Sequence, residues 1–300
     1  LNGSTIGSLF MKILIAGAQG QLGRALIRRL AETHQVLAPG RADLDITHRE
    51  RCAAAVAGTQ PDLVLNCAAY TAVDRAESEP DAAFAVNANG AENLAAACRG
   101  IGVMLVHFST DYVFDGAGSR PYIETDAVAP QSVYGASKLA GERAVHDSGA
   151  DHLILRLSWV YGNDGGNFYK TMLRLATERP VLRVVTDQWG TPNYTADLAD
   201  AVAIAIDRPR AELARLGGLY HLSATDTTNW CEFARAIVRG AGMEERVAVE
   251  AISTSEYPTA AKRPAFSALD ASRFATVFGC ELPRWQDGLR RCLAARPLVA

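Results

Sequence analysis

The stretch "MKILIAGAQGQLGRALIRRL", residues 11–30, restricts the fold more than any other part of the chain. Residues 11–17 are a short apolar run ending in glycine, the pattern of a buried strand. Residues 20–34 then carry apolar side chains at 22, 26, 27 and 30, one stripe of a helix. Gly17, Gly20 and Gly23 fall at the junction. Glycine lets backbone approach a pyrophosphate closely, and the free N–H groups and positive dipole end of a helix N-terminus favour an anion. The spacing is G-x-x-G-x-x-G rather than G-x-G-x-x-G, and a tight turn without a ligand would use the same residues.

The pattern repeats downstream. "QVLAPG", "DLVLNCAA" (62–69), "GVMLVHFST" (102–110) and "DHLILRLSWVYG" (151–162) read as further strands, apolar on both faces. Residues 79–102, Ala-rich with Pro80 in the first turn, read as a helix. Such alternation predicts an α/β fold, a Rossmann-like doubly wound parallel sheet covered by helices. Residues 165–180, 191–209, 227–242 and 284–295 read as later helices, the second capped near Thr195 or Asn193, with a late strand at 218–223. The expected division is an NAD(P)-binding domain over 11–160, with returning elements at about 182–208 and 219–222, and a smaller, interleaved substrate-binding lobe mainly over 161–300. Residues 1–10, "LNGSTIGSLF", lack an initiating Met, a basic leader and a long apolar core. They are expected to be an expression remnant or a misplaced start outside the fold.

Composition narrows the class. Hydrophobic residues make up 49% and charged residues 21%, proportions of a soluble globular protein. The net charge of −3 and the absence of a basic run argue against nucleic acid and membrane surfaces as partners. No apolar run reaches the ~18 residues of a membrane span. The six cysteines show no C-x-x-C and no histidine at metal spacing, so reduced, mostly buried thiols in a cytoplasmic protein are expected, without zinc.

Chemistry-bearing residues cluster at strand ends. After the second strand, where a ribose-binding acid is usual, the chain has Arg41, which favours a 2′-phosphate and hence NADP unless it is only an exposed loop residue. Asp45 follows and is a candidate for the adenine side. "FSTDYVFDG" puts Thr110 and Asp111 at the carboxyl end of the fourth strand, where ligands bind in parallel sheets, although capping would use the same residues. In "VYGASK", Tyr134 precedes Lys138 by four residues, so a helix stacks them on one face. A free phenol has a pKa of about 10, and an adjacent ammonium would lower it toward use as a proton donor. Trp159 suits either core or sugar stacking, Trp230 lobe packing, and Arg263-Pro264 either a phosphate clamp or a surface turn. The six histidines form no cluster.

Together "GQLG", "NCAAYTAVDRAESEP", "FSTDYVFDG", "PYIETDAVAPQSVYGASKLAGE", "LRLSWVYG", "DQWGTPNYTADLADA" and "GLYHLS" resemble the extended short-chain dehydrogenase/reductase superfamily and, within it, the dTDP-4-dehydrorhamnose reductases, along residues 11–296. The resemblance implies reduction by NADPH or NADH of the C4 keto group of dTDP-4-dehydro-6-deoxy-L-mannose, giving dTDP-L-rhamnose. It implies Tyr134 as proton donor, Lys138 as its partner and Thr110 on the reacting oxygen. Gly20, Gln21 and Leu22 would face the pyrophosphate, Asp45 and Ile46 the adenosine, and Ala69, Tyr70 and Thr71 the far half of the cofactor. Thr110, Asp111 and Trp159 would touch the dTDP-sugar. Some relatives form a magnesium-bridged dimer through acidic side chains. Ala25 and Ala196 stand at those positions, so no metal and a monomer are expected. Rival expectations are another sugar-nucleotide 4-ketoreductase or an epimerase of the superfamily, and a non-catalytic regulatory subunit similar to the beta subunit of methionine adenosyltransferase. A dehydratase is disfavoured because no Glu adjoins Thr110-Asp111.

Overall fold

The computed structural model describes residues 10–296. The reading of residues 1–10 therefore concerns residues outside it, Phe10 excepted. β1 (Lys12–Ala16) leads through the glycine turn into α1 (Gln21–Leu30), then β2 (Gln35–Leu37), α2 (Arg49–Thr59) and β3 (Leu63–Asn66). Short helices α3 (Val73–Ala76) and α4 (Pro80–Phe84) run through a π-turn (Ala85–Asn89) into α5 (Gly90–Ile101). β4 (Met104–Thr110), α6 (Val133–Asp147) and β5 (His152–Leu157) complete the first half. The second half brings β6 (Val160–Tyr161), α7 (Phe168–Glu178), β7 (Val181–Val185), β8 (Trp189–Gly190), β9 (Asn193–Tyr194), α8 (Thr195–Ile206) and α9 (Arg210–Arg215). It ends with β10 (Gly218–His221), β11 (Thr228–Asn229), α10 (Trp230–Gly240), β12 (Ala248–Ile252), α11 (Ser272–Phe278) and α12 (Trp285–Ala294).

Among the described residues, the main sheet runs β2–β1–β3–β4–β5–β10, with every pair parallel. Successive side chains alternate faces. Ile13 and Ile15 pack with Leu26 and Leu30 of α1 and Val202 and Ile206 of α8, whereas Leu14 and Ala16 pack with Val56 of α2, Leu94 of α5 and Val145 of α6. Both faces are covered, which is why the strands read as unbroken apolar runs. Strand order reverses between β1 and β3, and the carboxyl-end crevice there is where a doubly wound sheet receives its ligand. α8 lies against α1, and β10 closes the sheet edge. The other second-half strands form three two-stranded pairs, β6 with β9, β7 with β12 and β8 with β11. No described helix is long and apolar enough to cross a membrane.

Four expectations need correction. The strand expected over 151–162 breaks after Leu157, because Trp159 turns the backbone with φ +42° and Val160–Tyr161 pairs with β9 instead. The helix expected over 79–102 contains the π-turn. "QVLAPG" is extended as a strand only through Leu37. Helix α8 follows Tyr194 without a side-chain cap; the Asn193 amide instead donates to the Ser158 and Thr191 carbonyls and accepts from Ala224 N. Helix α2 and strands β7 and β12 were not legible in the sequence. Only Cys52 and Val56 of α2 are buried, and β7 and β12 gain their strand character only by pairing across more than sixty intervening residues.

Candidate active site

The glycine turn has the tightness that its residues suggest. Gly17 sits at φ +72°, and a Cβ there would lie 2.3 Å from Ala68 N. A Cβ at Gly23 would lie 2.5 Å from the Gly17 carbonyl. Gly20 N donates to Gly17 O at 3.0 Å, closing the turn, and no side chain caps α1. The first N–H groups of α1 are therefore free for a diphosphate. Beside the turn lies a cavity of about 300 Å³ that includes Gly17, Gly20, Arg41, Asp45, Ile46, Ala69 and Tyr70 in its walls. Burial raises the Asp45 carboxyl, but hydrogen bonds from Thr47 and Arg41 outweigh it and hold the group below the usual carboxylate range. Arg41 is 79% exposed, 3.4 Å from Asp45. The cavity and the uncapped start of α1 beside it fit a dinucleotide.

A second cavity of about 530 Å³ continues from Gly20, Gln21 and Leu22 to Ala69 and Thr71, then to Thr110, Asp111, Tyr134, Lys138 and Trp159. Gly23 lies behind the turn rather than in either cavity wall. Ser132 caps α6 by accepting from Gly135 N at 3.1 Å. A Cβ at Gly135 would lie 2.3 Å from Tyr112 O, so this glycine lets α6 approach the end of β4. That approach brings Tyr134 into the same cavity wall as Thr110, whose hydroxyl donates to Asp111 Oδ1 at 3.0 Å and accepts from Tyr112 N at 3.2 Å.

The electrostatics differ from the expectation that Lys138 lowers the pKa of Tyr134. Lys138 is buried, and its Nζ donates to the Phe108 carbonyl at 2.6 Å. Burial pushes its ammonium down to about 8, partly offset by Glu142. Burial drives the Tyr134 phenol well above its ordinary range, with Asp111 and Tyr112 adding to the rise and Thr110 opposing it. Burial also pushes the Asp111 carboxyl up to about 6, opposed by the nearby Ser267 hydroxyl and by the hydrogen bond from Thr110. Burial thus makes both Tyr134 and Asp111 weaker acids than they are in water, and keeps the phenol protonated at neutral pH.

Asn87 carried no recognisable signal in the sequence, and Trp230, read there as lobe packing, forms part of the cavity wall. Asn87, in the π-turn, accepts from Tyr70 N at 2.8 Å and donates to Tyr70 O and to Ser137 Oγ of α6. It ties the 69–71 loop to the helix that carries Tyr134, and the only hint was an Asn inside an Ala-rich helical run. Trp230 stacks on Trp159 at 3.5 Å and 6°, and Phe168 packs on Trp230 at 4.5 Å. Gly190 makes room, since a Cβ there would lie 2.6 Å from the Trp159 indole. The positive φ of Trp159, a strained state for a bulky residue, turns the ring into the cavity wall. Ala25 is buried within α1, and neither it nor Ala196 has a ligating atom. Among the described residues, no cluster of three His, Cys, Asp or Glu side chains could hold a metal.

The chain is similar to known proteins along nearly its whole length. The family model for the RmlD substrate binding domain matches residues 11–297. The chain is 45% identical to a dTDP-4-dehydrorhamnose reductase of Burkholderia thailandensis, over 94% of this chain and 98% of that protein. It is 44% identical to the dTDP-4-dehydrorhamnose reductase of Escherichia coli, over 94% and 97%. A crystal structure of a dTDP-4-dehydrorhamnose reductase from Bacillus anthracis in complex with NADP superposes with a TM-score of 0.89 at 39% identity, over 95% of this chain and 99% of that one. A Thermus thermophilus UDP-glucose 4-epimerase in complex with NAD, at 22% identity and a TM-score of 0.79, shares the fold.

Proposed function

The chain belongs to the RmlD family, whose relatives named above are dTDP-4-dehydrorhamnose reductases, and from that premise we propose how its residues reduce the C4 keto group of dTDP-4-dehydro-6-deoxy-L-mannose to dTDP-L-rhamnose. It is an NADP-dependent oxidoreductase of dTDP-rhamnose biosynthesis. The observation that carries the residue assignment is the convergence of Thr110, Tyr134 and Lys138 on one cavity wall that starts at the glycine turn. A nicotinamide held along the cavity from the glycine turn would supply the hydride that the carbonyl carbon receives.

Every other part falls to the chain. Tyr134 donates its proton to the C4 oxygen, and Thr110 holds that oxygen through its hydroxyl. The raised phenol pKa keeps the proton on Tyr134 until a stronger base forms, and an alkoxide is one. Lys138, buried in the same cavity wall with its Nζ on the Phe108 carbonyl, supplies a positive charge on the side where the C4 oxygen becomes an alkoxide. Lys138 and Tyr134 also face the cofactor ribose. Asp111 and the Trp159 face contact the hexose. Gly17, Gly20, Gln21 and Leu22 form the pyrophosphate cradle, with Gly23 packed behind the turn, Arg41, Asp45 and Ile46 form the adenosine end, and Ala69, Tyr70 and Thr71 the nicotinamide side.

A third cavity, of about 990 Å³, shares Val73, Tyr112, Phe168 and Trp230 with the reaction cavity and carries Arg179, Arg183 and Arg263. Arg263 pairs with Asp74 through Nη2 at 2.6 Å. We assign the nucleotide end of the sugar to this cavity, so the lobe mainly over 161–300 binds substrate and residues 11–160 bind cofactor. The enzyme works as a cytoplasmic monomer without metal, which light scattering with and without a chelator would test.

Tyr134→Phe tests the chemistry. NADPH affinity should stay near wild type while turnover of the keto sugar falls about 10²- to 10⁴-fold, the usual worth of a positioned general acid. Wild-type turnover in that variant would remove Tyr134 from the mechanism. Absorbance at 340 nm separates the reductase from an epimerase, which regenerates its cofactor.

A further inference from the structure

Helix α1 meets the 162–167 loop of the second half at two places, an Arg28–Asp164 ion pair at 2.6 Å and, at the glycine turn itself, a bridge from Gln21. Gln21, the first residue of α1, lines the reaction cavity. Its Oε1 accepts from Asn167 Nδ2 at 2.7 Å, and its Nε2 donates to Gly166 O at 3.2 Å. Both ends of the Gln21 amide are thus committed to the 162–167 loop. Gly165, at φ +63°, admits the contact, because a Cβ there would lie 2.8 Å from Gln21 Cγ. The same Asn167 side chain caps α7, its Oδ1 accepting from Lys170 N at 3.0 Å. The next residue is Phe168, which packs on Trp230, and Trp230 stacks on Trp159. A continuous chain of contacts runs from the pyrophosphate turn through Gln21, Asn167 and Phe168 to the tryptophan wall opposite Tyr134.

We propose that Asn167 is a positioning residue: its bridge to Gln21 sets the height of α7, and so of the tryptophan wall, against the cofactor turn, putting sugar and cofactor in register for hydride transfer. The inference rests on the functional reading above. The bridge is local and polar, yet it joins residues 146 positions apart, and small misplacements of reacting groups are costly to rate. A cap alone would need only the Asn167 Oδ1. Here the Nδ2 is used as well, on Gln21 and on the Gly162 and Asp164 carbonyls of its own loop.

The test separates bridge from cap. Asn167→Ser keeps a good N-cap acceptor but is too short to reach Gln21. Gln21→Ala removes the other half of the bridge. For each single variant and for the double, turnover of the keto sugar is measured, together with the affinity of dTDP for the NADPH-loaded protein. Both single variants should lose about five-fold or more in one or both readouts, with the melting temperature of Asn167→Ser held within about 3 °C. The double variant should be no worse than the poorer single, the signature of one shared interaction. Additive losses would overturn the proposal, as would wild-type values for Asn167→Ser. If wild-type protein bound NADPH and dTDP but did not turn over the keto sugar, the functional reading would fall, and the dTDP arm would still decide the bridge.

Discussion

Asp111 holds a carboxyl that the fold makes more basic, and this has a measurable consequence for stability. The side chain is 2% exposed, Oδ1 accepts a hydrogen bond from the Thr110 hydroxyl, and burial raises its pKa from 3.8 to about 6. A group whose pKa is higher in the folded than in the unfolded state binds more protons when folded, so stability falls as pH rises between the two values. The loss begins near pH 4, is complete a little above pH 6, and stays constant beyond. A rise of about two pH units corresponds to about 3 kcal/mol, and at 2% exposure solvent screening does not reduce it much. Asp111→Asn keeps an Oδ1 acceptor for Thr110 and removes the charge. It should be more stable than wild type by about 1–3 kcal/mol at pH 7.5, with the difference shrinking to nothing near pH 4. Urea unfolding of both proteins at half-unit pH steps measures this, since every other titrating group cancels in the difference. A variant no more stable than wild type at pH 7.5, or a gap that stays open in acid, would refute the reasoning. Lower keto-sugar turnover in the more stable variant would mark Asp111 as a carboxylate kept for function at a cost in stability.

Other outcomes follow from the same geometry. Glu142 and Arg156 form a buried bidentate pair at 2.7 and 2.8 Å between α6 and β5. Glu142→Leu should cost about 3–5 kcal/mol in urea unfolding, because it leaves Arg156 buried and unpaired. Gly17→Ala, at a positive φ and with Cβ 2.3 Å from Ala68 N, should abolish NADPH binding in calorimetry. Arg41→Ala should raise the Kd for NADPH several-fold and leave that for NADH nearly unchanged, so an equal change for both would remove Arg41 from the 2′-phosphate.

What the sequence determined by itself was local or periodic. The two-faced apolar strands, the stripe of α1 and the glycines at its start follow from packing and steric rules acting within about twenty residues. Tyr134 over Lys138 follows from helical spacing. Their juxtaposition with Thr110 was legible because a parallel sheet gathers its strand ends along one edge. Tertiary structure decided the rest. The break at Trp159 depends on Gly190 and Trp230, residues far along the chain that leave room for the ring and stack on it. Asn87 acts only because the π-turn aims it at Tyr70 and Ser137, and Asn167 only because α1 and α7 meet. The direction of the Tyr134 and Lys138 shifts was likewise set by burial, which outweighed the neighbouring charges. Periodicity records which face of an element is covered. It does not record which distant polar group will meet which, or how much water remains around a charge, and those two quantities set the shape and proton affinity of this site.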